Sequence, residues 1–248
     1  MSHGIPELLL VFLIVAGAAT VKGATGFGFP LISVPLLAIF MTPRVAVPVV
    51  AIPTMLSNVM MFSRGGVGGT IGPYLIMLAA LVVGTVGGAL VITSLDPRLL
   101  SVLVGSVTLL YVVATAFRLT LRISPQTGRR AGPVLGLIAG VLGGATGIFA
   151  PLVASYLHML RLAKREFVFW ITVMFFVSNV AQIASYSHLG LYGGPVLRTA
   201  LFACLPMVLG TLAGIRIQNW LRPEVFNRVV LVIVFLASLN LLARGVLG

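Results

Sequence analysis

Acidic residues are almost missing from this chain: four Asp and Glu stand against sixteen Lys and Arg in 248 residues. Charged residues of both signs make up only 8%, where a soluble domain carries about 25% to clothe its surface. A water-soluble fold is thereby excluded, and much of the surface must meet hydrocarbon. The single cysteine, Cys204, rules out an intramolecular disulfide and any cysteine-rich metal site. The three histidines, His3, His158 and His188, are scattered, without the close spacing of a metal centre. Glu7, Asp96, Glu166 and Glu224 all fall near the ends of apolar runs, so a proton relay of buried carboxylates has no support. Neither a phosphate-cradling glycine loop nor a hydrolytic triad is present. No enzyme, metal or cofactor is expected.

What the chain does have is hydrocarbon. Hydrophobic residues make up 59%, with a mean hydropathy of +1.17. Backbone groups in lipid find no water, which leaves helices or closed barrels as spanning structures. The runs from Tyr74 to Ile92 and from Val229 to Leu242 are long and continuous, whereas barrel strands would alternate over roughly 10 residues. The expectation is an all-α, polytopic transmembrane helical bundle. The net charge of +12 would suggest nucleic acid in a soluble protein. Here the basic residues stand between apolar runs, with no aromatic-interleaved basic patch, so nucleic acid is not an expected partner. The stretch from Met1 to Ala24 looks like a signal peptide but lacks a basic start, and its end recurs later in the chain. It is read as structure.

That recurrence is an internal duplication. Gly23-Ala24-Thr25-Gly26, then Pro30, returns as Gly144-Ala145-Thr146-Gly147, then Pro151, at an offset of 121 residues. At the same offset Arg44 meets Arg165, and Ser57-Asn58 meets Ser178-Asn179. Further on the offset drifts to 126: Gly84-Thr85 and Gly88 match Gly210-Thr211 and Gly214, and Pro97 matches Pro223. Each half has an apolar stretch broken at the GATG element, then three spans. These lie near 45–62, 73–93 and 98–117 in the first half and 166–186, 196–215 and 225–243 in the second. The division is residues 1–117, a basic linker at 118–130 placed in the cytoplasm, and residues 131–248.

The interrupted element decides the topology. Ile5 to Phe40 would be about 54 Å long as one helix, against about 30 Å of hydrocarbon. A hairpin of two short arms fits better, whether it spans or re-enters. Hairpins make the halves inverted, with eight to ten membrane segments in all. With the linker inside, eleven basic residues then lie inside: Arg64, Arg118, Arg122, Arg129, Arg130, Arg161, Lys164, Arg165, Arg216, Arg222 and Arg228. Only Arg44, Arg98, Arg198 and Arg244 lie outside. Single crossings would give seven inside and eight outside. The positive-inside rule favours inversion.

Several residues are candidates for chemistry. Two glycines around a threonine, ending at a proline, cannot continue a helix cheaply, and irregular backbone at membrane depth must line protein or a wet cavity. Thr25, Gly26, Thr146 and Gly147 could thus surround a substrate, with helix N–H groups suited to an anion; close helix packing is the alternative. Lys22 precedes the first break, where its counterpart is Gly143. It is either a functional cation or a side chain snorkelling to the interface. Arg44 and Arg165 open equivalent spans and offer forks for a carboxylate, sulfonate or phosphate, or else serve topology. Ser178, Gln182 and Ser185 make a polar stripe at helical spacing with Asn179 beside it, and Ser57 and Asn58 stand at matching positions. Lining a polar cavity and gluing helices together both remain open for them. The Phe167, Phe169, Trp170, Phe175 and Phe176 cluster is read as lipid-facing or packing.

The stretch from Gly23 to Pro30, then Pro35, with a second copy opening the other half, resembles the TauE/SafE family of sulfite and organosulfonate exporters of bacterial cytoplasmic membranes. The similarity runs through length, duplication and the position of the breaks. It implies a multi-pass protein of the bacterial inner membrane that transports, by alternating access, a small sulfur-containing anion such as sulfite or sulfoacetate. An anion channel or a non-transporting membrane scaffold is the alternative. The expected partners are the small anion and membrane lipid, with a homodimer left open.

The charge count makes topology testable. On a background without Cys204, a reporter cysteine at Gly128 is expected to label only from the cytoplasm. Reporters at Ser2 and Gly248 should both label from outside. Labelling of both termini from the cytoplasmic side would overturn the hairpin arrangement.

Overall fold

In hydrocarbon every segment must satisfy its own backbone, and the chain accordingly folds into helices. The structure is a computed structural model that describes residues 5–26, 28–62, 74–117, 125–160, 162–217 and 223–247. The first half contains α1 (Ile5–Thr25), α2 (Phe29–Leu37), α3 (Pro43–Phe62), α4 (Leu75–Ser94) and α5 (Pro97–Ala116). The second contains α6 (Pro125–Thr146), α7 (Ala150–Met159), α8 (Lys164–His188), α9 (Gly194–Ile217) and α10 (Pro223–Leu247). No strand occurs among the described residues. Seven of these helices are long and apolar enough to cross a membrane. The fold is that of a polytopic helical membrane protein. Ile76, Val83, Leu110 and Leu236 stand exposed on its outside, where a bilayer would cover them.

Within the basic stretch 118–130, Pro125 already opens α6; a proline suits the first turn of a helix, where its missing N–H has no partner to lose. Of the aromatic cluster read as lipid-facing or packing, Trp170 and Phe175 are buried. Ser2, Phe27, Arg64, Arg118, Arg122, Arg161, Arg222 and Gly248 lie outside the described residues.

The GATG elements end α1 and α6 in the same way. Gly26 and Gly147 take positive φ, 88° and 74°, the left-handed conformation in which glycine closes a helix. Each still donates its N–H back into the helix, Gly26 to the Lys22 carbonyl and Gly147 to the Gly143 carbonyl, both at 2.7 Å. The chain then turns, and a proline at the head of α2 and of α7 starts a short helix.

Side-chain contacts fix the directions. Residues from the start of α1 (Glu7), the end of α2 (Leu37) and the end of α10 (Arg244) line one cavity, together with Pro97 and Pro195 at the starts of α5 and α9. So α1 and α2 form a hairpin, and the start of α1 and the end of α10 lie on one face, opposite the end of α5. The Asn179 amide on α8 donates to the Ala51 carbonyl on α3, and the Asn58 amide on α3 donates to the Phe175 carbonyl on α8, both at 3.4 Å. Numbers rise along α3 as they fall along α8, so these equivalent helices are antiparallel. The halves are inverted.

They also interlock through small residues. Along α4 and α6, a methyl group placed on Gly84, Gly88, Gly140 or Gly144 would strike the backbone of the facing helix. Along α1 and α9 the same holds for Gly23, Gly210 and Gly214. Without a hydrophobic drive between helices in lipid, such close backbone approach supplies the packing. Each half thus lends its opening helix to the fourth helix of the other half.

Neighbouring glycines on α4 give a matched test. Gly88→Ala should lower the melting temperature of the purified protein, at a cost of about 1–3 kcal/mol from overpacking. That outweighs the helix propensity alanine adds, about 1 kcal/mol. Gly87 faces open space, so Gly87→Ala should leave stability unchanged or raise it. Equal responses would mean that the seam does not hold the helices.

Candidate functional site

The two breaks meet. A small cavity is lined by Gly28, Pro30 and Leu31 at the head of α2, by Gly147 to Pro151 at the second break and the head of α7, and by Lys22, Thr54, Asn58 and Phe175. Its volume is about 20 Å³, room for one or two waters. The first turns of two short helices therefore border one space, and a helix start favours negative charge.

Lys22 brings the cation. Only 4% of it is exposed, so it does not snorkel; the turn at Gly26 leaves its side chain beside α3. Its Nζ donates to Asn58 Oδ1 at 2.9 Å. Asn58 is itself 3% exposed and hands its amide on to α8. Among the described residues no carboxylate lines this cavity. Lys22 in its ammonium form therefore has an amide for a partner and no counter-charge, which is a costly arrangement unless an anion arrives.

The other candidates are placed differently. Gly147 lines the cavity, whereas Thr25, Gly26 and Thr146 do not. The Thr25 hydroxyl donates to the Val21 carbonyl, and that of Thr146 to the Leu142 carbonyl while accepting from the Ile148 N–H. Both hydroxyls bond their own helices, and Thr146 also helps to cap the break. Arg44 donates to the carbonyls of Ile92, Thr93 and Leu95. It caps the end of α4, where a cation meets the negative end of the helix dipole. The side chain of Arg165 lies outside the described residues.

Asn179 and Gln182 form a buried lock rather than a cavity wall. Asn179 donates to Gln182 Oε1 at 3.0 Å; Gln182 donates to the Gly143 carbonyl at 2.8 Å and meets Tyr186 Oη at 2.9 Å. Tyr186 in turn donates to the Gly144 carbonyl at 2.6 Å. α8 thus holds the last carbonyls of α6. Ser178 meets Thr85 of α4 at 3.0 Å, and the Ser185 hydroxyl bonds back to Ala181.

Most of the lining residues, Phe149, Phe175 and Gly28 among them, were not singled out from the sequence for binding. Phe149 and Phe175 sit inside apolar runs, where an aromatic ring reads as packing. Gly28, with a φ of 97°, is one of many glycines. The available signal was the duplication, since Gly28 and Phe149 occupy equivalent positions at the 121-residue offset.

A second, larger space of about 950 Å³ opens on the face that carries the chain ends, with Thr42, Arg98 and Arg244 in its wall. It reaches α2 at Leu37, while the inner cavity touches α2 at Leu31. The two points are about 9 Å apart along the helix. One short helix separates vestibule from cavity.

The lock predicts a stability effect. Gln182→Leu removes the bond to the Gly143 carbonyl and takes one buried hydrogen bond each from Asn179 and Tyr186. It should cost about 1–3 kcal/mol, read as a lower melting temperature in detergent. No loss of stability would mean that the second break holds itself closed.

A family model described as sulfite exporter TauE/SafE matches residues 10–241. No curated protein and no solved structure is similar to the chain beyond chance. The family match takes in both breaks, both glycine seams and all the residues around the cavity. The chain belongs to the TauE/SafE sulfite exporter family.

Proposed function

We propose that the protein is a secondary transporter, an exporter of the bacterial inner membrane, for a small sulfur-containing anion such as sulfite or sulfoacetate. The observation that carries this reading is Lys22: a buried amine at the meeting point of two helix starts, in a cavity without a carboxylate. The anion supplies the missing counter-charge and takes the place of Asn58 Oδ1 on the amine. N–H groups at the heads of α2 and α7 receive its remaining oxygens. Gly147 lets the backbone come close, and Thr25, Gly26, Thr146, Asn179 and Gln182 hold the walls.

At about 20 Å³ the cavity is too small for sulfite, so the arms must part to admit it. In alternating access, α2 and its equivalent α7 give way in turn as one helix bundle rocks against the other. The vestibule beside α2 is the opening on the outer face. A carrier of this kind shows trans-acceleration of labelled sulfite by unlabelled sulfite in proteoliposomes. Flux without trans-acceleration would indicate a channel instead.

Lys22→Met separates function from folding. Removing a buried amine that has no counter-charge should leave thermal stability unchanged or raised. Losing a hydrogen bond to a charged group, worth about 1.5–3 kcal/mol, should weaken sulfite affinity about tenfold or more. Uptake at wild-type affinity by a well-folded Lys22→Met protein would refute this site.

A further inference from the structure

The two breaks are equivalent in backbone but not in side chains, and the difference falls on the cavity. Lys22 is matched by Gly143, and Gly28 by Phe149. The long side chain thus stands before the break in one half and after it in the other. The exchange is compensated: a methyl group placed on Gly143 would lie 2.8 Å from the Phe149 ring, so Phe149 fills the space that a lysine at 143 would need. The cavity therefore holds one cation where strict symmetry would give two. Arg44 adds no second charge, being bound to the end of α4.

Apart from Lys22, Asn58 and Thr54, the side chains around the cavity are hydrocarbon. Phe149 meets Phe175 edge to face, with ring centres 5.2 Å apart and planes at 84°. Pro30, Leu31, Ile148 and Pro151 belong to the same lining. A doubly charged anion would leave one charge uncompensated in an apolar space. A singly charged anion with a compact apolar group satisfies both the amine and the apolar lining.

We infer that this cavity selects a monoanion over a dianion, with the charged head at Lys22 and any small organic group against Phe149 and Phe175. The inference rests on the cavity being the substrate site. It makes Phe149 the residue that sets how large the organic group can be. Under this rule sulfite enters as hydrogen sulfite, and sulfoacetate enters with its carboxyl group protonated.

Methanesulfonate and sulfate form the deciding pair, since both are tetrahedral and they differ by one charge and one methyl group. Each is added at fixed ionic strength to the purified wild-type protein and to Lys22→Met, and the melting temperature is read. Sulfate stabilises proteins without binding, so the quantity of interest is the shift that depends on Lys22. Methanesulfonate should give such a shift and sulfate none. Equal Lys22-dependent shifts would overturn the single-charge rule while leaving Lys22 as the anion site. A methanesulfonate shift that persists in Lys22→Met would overturn the inference together with the proposed site, and no shift at all would do the same.

Phe149→Ala supplies the second arm. In competition with labelled sulfite for uptake, and in the melting assay, n-butanesulfonate should improve relative to methanesulfonate by about tenfold, the scale at which a pocket discriminates small differences in bulk. An unchanged ratio would remove Phe149 from the site even if the charge rule held.

Discussion

Hydrocarbon does not tolerate unpaired backbone groups, and the rest of this structure follows from two helices that stop inside it. Each stop strands carbonyls on one side of the turn and N–H groups on the other. The carbonyls of the second break are taken up by Gln182 and Tyr186 from α8, and Thr146 helps to close the turn. The first turns of both short helices border the cavity, and a helix start favours negative charge.

Much of the architecture was readable because membrane helices are written in hydropathy and duplication in offset. The three spans of each half, the break at each GATG and the hairpin reading all depend on those signals, and the positions of α1 to α10 follow them closely. The site was less legible, for a physical reason. Threonine and arginine advertise binding in a sequence, yet each can satisfy itself locally. Thr25 and Thr146 bond their own helices, and Arg44 is held by the carbonyls of α4. Lys22 and Asn58 were visible as polar residues within apolar runs. Their direct contact was not, because it joins α1 to α3 across a break that carries two left-handed glycines, Gly26 and Gly28.

The departures from symmetry carry as much meaning as the symmetry itself. An inverted repeat supplies two similar gates around one centre, and identical linings would suit a ligand that looks alike from both ends. Lys22 opposite Gly143 and Phe149 opposite Gly28 give the cavity a head and a tail. The lock around Gly143 and Gly144 ties the second break to α8, whereas at the first break the corresponding place belongs to Lys22, whose amine donates to Asn58 on α3.

The glycine seams also bear on how the chain is made. Gly23 of α1 packs against α9 around Thr211 and Gly214, residues added to the chain almost 190 positions later. At synthesis rates of about 5–20 residues per second, α1 waits roughly 10–40 seconds for its partner. During that interval its small-residue face lies against lipid. Glycine and alanine leave no side-chain polar group stranded there, so the helix can wait inserted and intact. The seam thus has two duties: it holds the finished protein together, and it lets the first helix emerge long before the last ones exist.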